Sequence, residues 1–211
     1  LFMSSINEGD EVLIPSPYWV SYPDIVSLCN GKPIIVETKF ENGFKVKPED
    51  LEKNITKKTK WIIINSPGNP TGSVYSEDEL RQLSDVIRKY KNVFILSDDI
   101  YEHILYKNTK FTNILNISPD LFDRTFIVNG VSKVFSMTGW RIGYGAGHKE
   151  LIKSISKIQS QCTTNPCSIS QMAAMFALEN KKTFLNDWLV KFEDRKNFLV
   201  DFFSSINGFK P

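Results

Sequence analysis

The sequence predicts an α/β fold with a largely parallel central sheet. Three observations point to it. Short apolar runs alternate along the chain with longer amphipathic ones, the short runs are rich in β-branched or aromatic residues, and each is bounded by polar residues, glycine or proline. In order, residues 11–14 form a first strand, stopped by Pro15, and residues 20–28 a helix. Strands follow at 34–38 and at 61–65, where Trp-Ile-Ile-Ile runs into an Asn-Ser-Pro turn. Ser76 and Glu79 have the spacing of a capping box, so a helix starts at 77 and runs to 90. Further strands lie at 93–97, 125–129 and 142–146, and helices at 149–159, 168–179 and 183–204. Strands that alternate with helices pair in parallel through crossover connections.

Composition narrows the function. Hydrophobic residues make up 41% of the chain and charged ones 24%, a globular mix that excludes wholesale disorder. Against 24 Asp and Glu stand 26 Lys and Arg, a net charge of +2, which argues against a nucleic-acid surface or an acidic tail. Lys53, Lys57, Lys58 and Lys60 lie close together and read as a solvated face. No apolar run approaches the roughly 18 residues that span a bilayer, and residues 1–10 do not read as a signal peptide. Cys29, Cys162 and Cys167 form no CxxC and read as free thiols of a cytoplasmic protein. His103 and His148 lie far apart, so no metal centre is expected. The apolar, helix-like start at Leu1-Phe2-Met3 and the stop at Pro211, just after Asn207-Gly208, suggest a piece of a longer protein.

In parallel sheets, ligands bind beyond the carboxyl ends of the strands. Four such ends are chemically loaded. Lys133 follows the strand at 125–129. If partly desolvated there, its amine becomes a nucleophile able to form a Schiff base with an aldehyde; the plain alternative is a surface lysine. Arg141, beyond Thr138-Gly139-Trp140, suits a bidentate contact to phosphate. Asp98 ends the strand at 93–97. A carboxylate buried there needs a cationic partner, which a protonated pyridine nitrogen would supply; alternatively it caps a helix at 100–105. Tyr101 can bond a phenolate-like oxygen. Residues 65–72, Asn-Ser-Pro-Gly-Asn-Pro-Thr-Gly, form either a plain loop or a rigid holder for the Asn69 amide. Trp19 either stacks on a planar ring or packs in the core. Gly143, Gly145 and Gly147 do not make a dinucleotide fingerprint and read as strand and turn glycines.

Together these segments resemble the class I aminotransferases, fold-type-I enzymes that use pyridoxal 5′-phosphate. The stretch Gly-Val-Ser-Lys-Val-Phe-Ser-Met-Thr-Gly-Trp-Arg-Ile-Gly at 130–143 is similar to the family's pyridoxal-lysine signature. Ser-Pro-Tyr-Trp-Val-Ser-Tyr-Pro at 16–23 and Ser-Asp-Asp-Ile-Tyr-Glu-His at 97–103 resemble it too, most closely the bacterial aspartate aminotransferases. Several long motifs agree in order, and the similarity covers essentially the whole chain.

The resemblance implies a three-layer large domain with a mainly parallel sheet, truncated at both ends: residues 1–181 as the cofactor-binding domain and 182–211 as a long helix leading toward a small domain. It implies that Lys133 carries the cofactor and moves a proton, that Asp98 pairs with the pyridinium nitrogen, that Tyr101 and Asn69 bond the ring oxygen, that Trp19 stacks on the ring, and that Arg141 grips the phosphate, with Ser132 a weaker contact. Lys133, Asp98 and Tyr101 would be catalytic. Many relatives carry a serine where Gly130 stands, so one phosphate contact of the family is not implied here. It also implies cis bonds at Ser16–Pro17 and Asn69–Pro70, and a homodimer in which the loop at 163–166 reaches the partner's phosphate. The implied substrates are an amino acid and a 2-oxo acid, most closely aspartate and 2-oxoglutarate; an aromatic or prephenate aminotransferase comes next. Ser160 occupies the position of an arginine that some animal-type relatives use for dicarboxylates. A C–S lyase of the same fold, or a transcription regulator with an aminotransferase-like domain, are the alternatives of other classes. The glycine-rich phosphate turn and the small-domain arginine for the substrate carboxylate are expected outside these residues, so the 211 residues alone are expected to be inactive.

Overall fold

The computed structural model of the chain describes residues 1–180 and 185–210. Six strands form one sheet in the order β2-β1-β3-β4-β5-β6. They are β1 (Glu11–Pro15), β2 (Lys32–Val36), β3 (Thr59–Asn65), β4 (Phe94–Asp98), β5 (Thr125–Gly130) and β6 (Gly143–Ala146). The first five pair in parallel and β6 runs antiparallel to β5.

Period-two alternation divides the strand side chains between two layers of helix. On one face Leu13, Ile62, Ile64 and Ile95 meet α2 (Pro48–Asn54), α3 (Glu77–Lys89) and α4 (Ile114–Ile117) through Leu51, Leu80, Leu83, Ile87 and Ile114. On the other, Val12, Ile14, Trp61, Ile63, Leu96 and Phe126 meet α1 (Ser21–Leu28) and α5 (Lys149–Cys162) through Tyr22, Val26, Leu151 and Ile155. The result is the expected three-layer arrangement. Each fully buried isoleucine or leucine contributes about 1.5–3 kcal/mol of transfer free energy. A third, smaller cluster joins Val131, Val134, Phe135, Met137 and Ile142 to Ala174 of α6 (Ser168–Glu179) and so anchors the segment after β5.

Local sequence explains the best-defined helix. Glu79 N–H donates to Ser76 Oγ at 3.2 Å, and Ser76 N–H donates to the Glu79 carboxylate at 2.7 Å, the predicted capping box at the start of α3. Acidic residues in its first turn and Arg88 and Lys89 in its last complement the helix dipole. Lys53, Lys57 and Lys58 are exposed, as expected of a solvated face.

Several expectations are corrected. β2 lies two residues earlier than predicted, because Lys32 pairs with Glu11 at the start of β1. The short helices α2 and α4 were not predicted. The helix at 100–105 offered as the alternative for Asp98 does not form: turns occupy residues 100–103, so Asp98 is not a helix cap. The last helix, α7, is described over Leu185–Ser204. Its predicted first residues and the domain boundary at 181/182 fall outside the described residues. Ser16–Pro17 and Asn69–Pro70 are cis as expected, and so is Ser66–Pro67. Among the described residues, no helix is long and apolar enough to cross a membrane.

Candidate active site

In-register parallel pairing lines up the carboxyl ends of the central strands. Asn65 of β3 pairs with Asp98 of β4, and Asp98 with Val128 of β5. The antiparallel β6 begins at this same edge, where Gly143 pairs with Gly130. The four loaded segments therefore leave the sheet around one opening. A cavity of about 330 Å³ lies there, lined by Trp19, Asn69, Asp98, Tyr101, Ser132, Lys133 and Arg141, and also by Tyr22, Asn65, Asn129 and Thr138. All seven residues singled out from the sequence thus meet at one place.

Asp98 occupies the floor. Its Oδ2 accepts the Tyr22 hydroxyl at 2.6 Å and its Oδ1 the Ile100 N–H at 3.2 Å. Both donors are neutral, and among the described residues no cation pairs with this carboxylate. Burial pushes the Asp98 carboxyl above its ordinary value, against the opposing pull of the two hydrogen bonds. Burial, reinforced by the Asp98 charge, likewise raises the Tyr22 phenol. Its neighbour Asp99 turns to the opposite face, where Ser97 and Asn113 donate to it, and burial lifts its carboxyl to about 6.

The wall at 65–72 is braced from within. The Asn65 amide donates to the Asp98 carbonyl at 2.9 Å and its oxygen accepts the Asn69 N–H at 2.8 Å. Trp19 is 42% exposed, which places it at the cavity rather than in the core. Its ring meets Tyr22 edge-on, with centroids 5.4 Å apart and planes at 87°.

The cationic wall comes from one segment. Lys133 Nζ lies 5.7 Å from the centroid of the Tyr101 ring. Lys133 is exposed, which corrects the expectation of a partly desolvated amine: it stands at the mouth of the cavity, beyond the end of β5. Arg141 takes the left-handed conformation, φ 57°, and its guanidinium donates to the Thr138 carbonyl at 2.7 Å, which holds the group at the cavity wall. Packing accounts for Gly130. A Cβ there would lie 3.0 Å from the Ile142 carbonyl oxygen and 3.2 Å from Gly143 Cα, so a serine would force backbone to move.

Sequence inspection missed Tyr22 and Asn65. Both lay inside quoted motifs, but the spacing of a motif does not show a partner elsewhere in the chain. The finished arrangement suits a flat heteroaromatic ring with a protonated nitrogen toward Asp98, an anionic group toward Arg141 and an electrophilic carbon facing Lys133.

Comparison with known proteins bears on this chemistry. The family model described as aminotransferase class I and II matches residues 1–211. The probable aspartate/prephenate aminotransferase of Rickettsia typhi is 53% identical over 210 residues, which cover 100% of this chain and 53% of that protein. The aspartate/prephenate aminotransferase of Nitrosomonas europaea is 50% identical over 208 residues, 99% of this chain and 52% of that protein. The crystal structure of the aspartate aminotransferase from Rhizobium meliloti superposes with a TM-score of 0.96 at 44% identity, over 98% of this chain and 52% of that one. The aromatic aminotransferase from Pyrococcus horikoshii gives 0.90 at 35% identity, over 95% and 54%. The chain spans about half the length of the curated relatives it matches.

Proposed function

Because the chain belongs to the class I and II aminotransferases, we propose that the protein uses pyridoxal 5′-phosphate to transfer an amino group from aspartate to 2-oxoglutarate. One observation carries this: Asp98 is a part-buried carboxylate with no cationic partner among the described residues, and it faces a cavity whose other walls hold Lys133, Tyr101 and Arg141. Such a group offers a partner to a bound cation. A cavity of about 330 Å³ falls within the size range of small-molecule sites. The donor set fits pyridoxal 5′-phosphate group by group: Asp98 for the pyridinium nitrogen, Tyr101 and Asn69 for the phenolic oxygen, Trp19 for the ring face, Arg141 and Ser132 for the phosphate, Lys133 for the aldehyde.

When bound, the cofactor supplies the electron sink for the charge left as the substrate Cα–H bond breaks. The residues do the rest. Asp98 keeps the ring nitrogen protonated, Trp19 and Arg141 fix the ring plane, and the Lys133 amine, once free, takes and returns a proton at Nζ. As substrates we assign aspartate first, because relatives of both kinds carry that name, and prephenate or an aromatic 2-oxo acid second, because aspartate/prephenate and aromatic aminotransferases stand among them. Residues 1–181 would form the cofactor-binding domain of a cytoplasmic homodimer, and 182–211 a helix leading toward a small domain.

Borohydride reduction of the cofactor-loaded protein followed by peptide mapping should label Lys133. Label on a different lysine would refute the assignment. A panel of amino donors with 2-oxoglutarate then ranks aspartate against the aromatic substrates.

A further inference from the structure

Tyr22 lines the cavity, and the mechanism above gives it no part. It stands in the first turn of α1, 5% exposed, among the apolar side chains that close one face of the sheet. Two contacts leave it. Its hydroxyl crosses 76 residues of sequence to donate to Asp98 Oδ2 at 2.6 Å, and its ring supports Trp19 edge-on at 5.4 Å. A carboxylate with one donor on each oxygen cannot rotate without breaking a hydrogen bond, and here the donors are the Tyr22 hydroxyl and the Ile100 amide.

We propose that Tyr22 is a positioning residue of this site: its hydroxyl locks the Asp98 carboxylate in one orientation and favours its charged form, while its ring edge sets the tilt of Trp19. The consequence for cofactor binding rests on the assignment of Asp98 to a cationic ring nitrogen; the consequence for Asp98 itself does not. The charged and titratable groups around Asp98 are few. Tyr22 faces it from α1, and Tyr101, Lys133 and Arg141 line the rest of the cavity. Asp99 points away, bonded to Ser97 and Asn113. Since no cation pairs with Asp98 among the described residues, its charge depends on neutral donors, and a hydrogen bond from a phenol to a carboxylate is of the strong, charge-assisted kind. Burial works against that charge and the Tyr22 hydroxyl works for it.

The test is a carbon-13 NMR titration of the carboxyl groups in the unloaded full chain, with Asp98→Asn identifying the Asp98 signal. Tyr22→Phe keeps the ring and removes the hydroxyl. Its Asp98 titration should move to higher pH, and its affinity for pyridoxal 5′-phosphate, read by the absorbance of the bound cofactor, should fall about tenfold or more, the loss of one charge-assisted hydrogen bond. Val26→Ala, buried in the same helix but remote from the carboxylate, should lower thermal stability and leave the Asp98 titration in place. An unmoved Asp98 titration in folded Tyr22→Phe overturns the proposal. The unsubstituted protein gives an independent check: labelled at tyrosine Cζ, Tyr22 should report the same midpoint as Asp98, and a flat Tyr22 signal overturns the proposal. If the titrations shift but the unsubstituted protein does not bind pyridoxal 5′-phosphate, the positioning role stands and the cofactor assignment falls.

Discussion

Replacing Asp98 by asparagine separates what the carboxylate does for the fold from what it does for the site. The side chains are nearly isosteric, so the cavity keeps its shape. The donors around it do not change: the Tyr22 hydroxyl at 2.6 Å and the Ile100 amide at 3.2 Å. An amide can present its oxygen to only one of them. With its NH2 group toward Ile100, two donors oppose each other, and an unsatisfied buried donor costs about 1–3 kcal/mol. With the NH2 group toward Tyr22, the hydroxyl must turn to accept. Against this, the substitution removes a buried charge. The Asp98 carboxyl sits above its ordinary value, so in the folded chain the penalty of burying its charge outweighs the hydrogen bonds that favour it. The sign follows: a carboxyl raised by folding binds protons more tightly in the native state, so its ionisation weakens the fold as pH rises through the folded value. The stability of the unloaded Asp98→Asn protein relative to the unsubstituted one should therefore improve as pH rises through the folded value of the Asp98 carboxyl. The loaded protein should behave oppositely. Loss of a charge-assisted bond of about 1.5–3 kcal/mol weakens cofactor affinity about 10- to 150-fold, and turnover should fall by orders of magnitude. Urea unfolding of the unloaded protein across pH, with a cofactor titration alongside, gives both numbers. Full cofactor affinity in Asp98→Asn would show that Asp98 serves the fold rather than a cationic ligand, and a stability difference that does not change with pH would refute the burial argument.

Two further outcomes follow from buried geometry. In Gly145→Ala the new Cβ would lie 2.6 Å from Phe126 Cε1 and Cζ; overpacking of this kind costs about 1–3 kcal/mol, which should appear as a lower urea midpoint and be largely recovered in Gly145→Ala with Phe126→Leu. Asp99, lifted to about 6 by burial, should lower stability as pH rises from about 4 to 6, and Asp99→Asn should flatten the stability profile in that window if the assignment of this slope to Asp99 is correct.

Most of what positions the site was legible in local sequence. The unbroken apolar run at 61–64 marked a strand, and Ser76 with Glu79 marked the start of α3 to the residue, because capping is decided within one turn. What escaped notice depends on partners distant in sequence. The register of β2 is set by Lys32 meeting Glu11, which no local pattern contains. Helix α4 is a single turn held by Asn113 and Asn116, too short for hydrophobic periodicity to register. Helix α2 carried its signal, Pro48 followed by Glu49 and Asp50, in an otherwise polar stretch. The helix at 100–105, the alternative offered for Asp98, is replaced by turns, although the Ile100 N–H does donate to Asp98 Oδ1 as it would to a cap. At the site, motifs singled out seven lining residues but not Tyr22 or Asn65, whose partners lie elsewhere in the chain. The exposure of Lys133 follows from where β5 stops, and the role of Tyr22 from a residue 76 positions away.

The hairpin that joins β5 to β6 has a consequence for the order of assembly. Lys133 and Arg141 both lie in the connection at 131–142, closed by the Gly130–Gly143 pair. Closing so short a loop costs little chain entropy, and antiparallel neighbours can zip without waiting for the rest of the sheet. Asp98, Asn65, Tyr22 and Trp19 come together only after β1, β3 and β4 pair across long crossovers, contacts of high sequence separation that form slowly. The two halves of the cavity thus differ in contact order: the basic lip is local in sequence, and the acidic floor is assembled from contacts of high sequence separation.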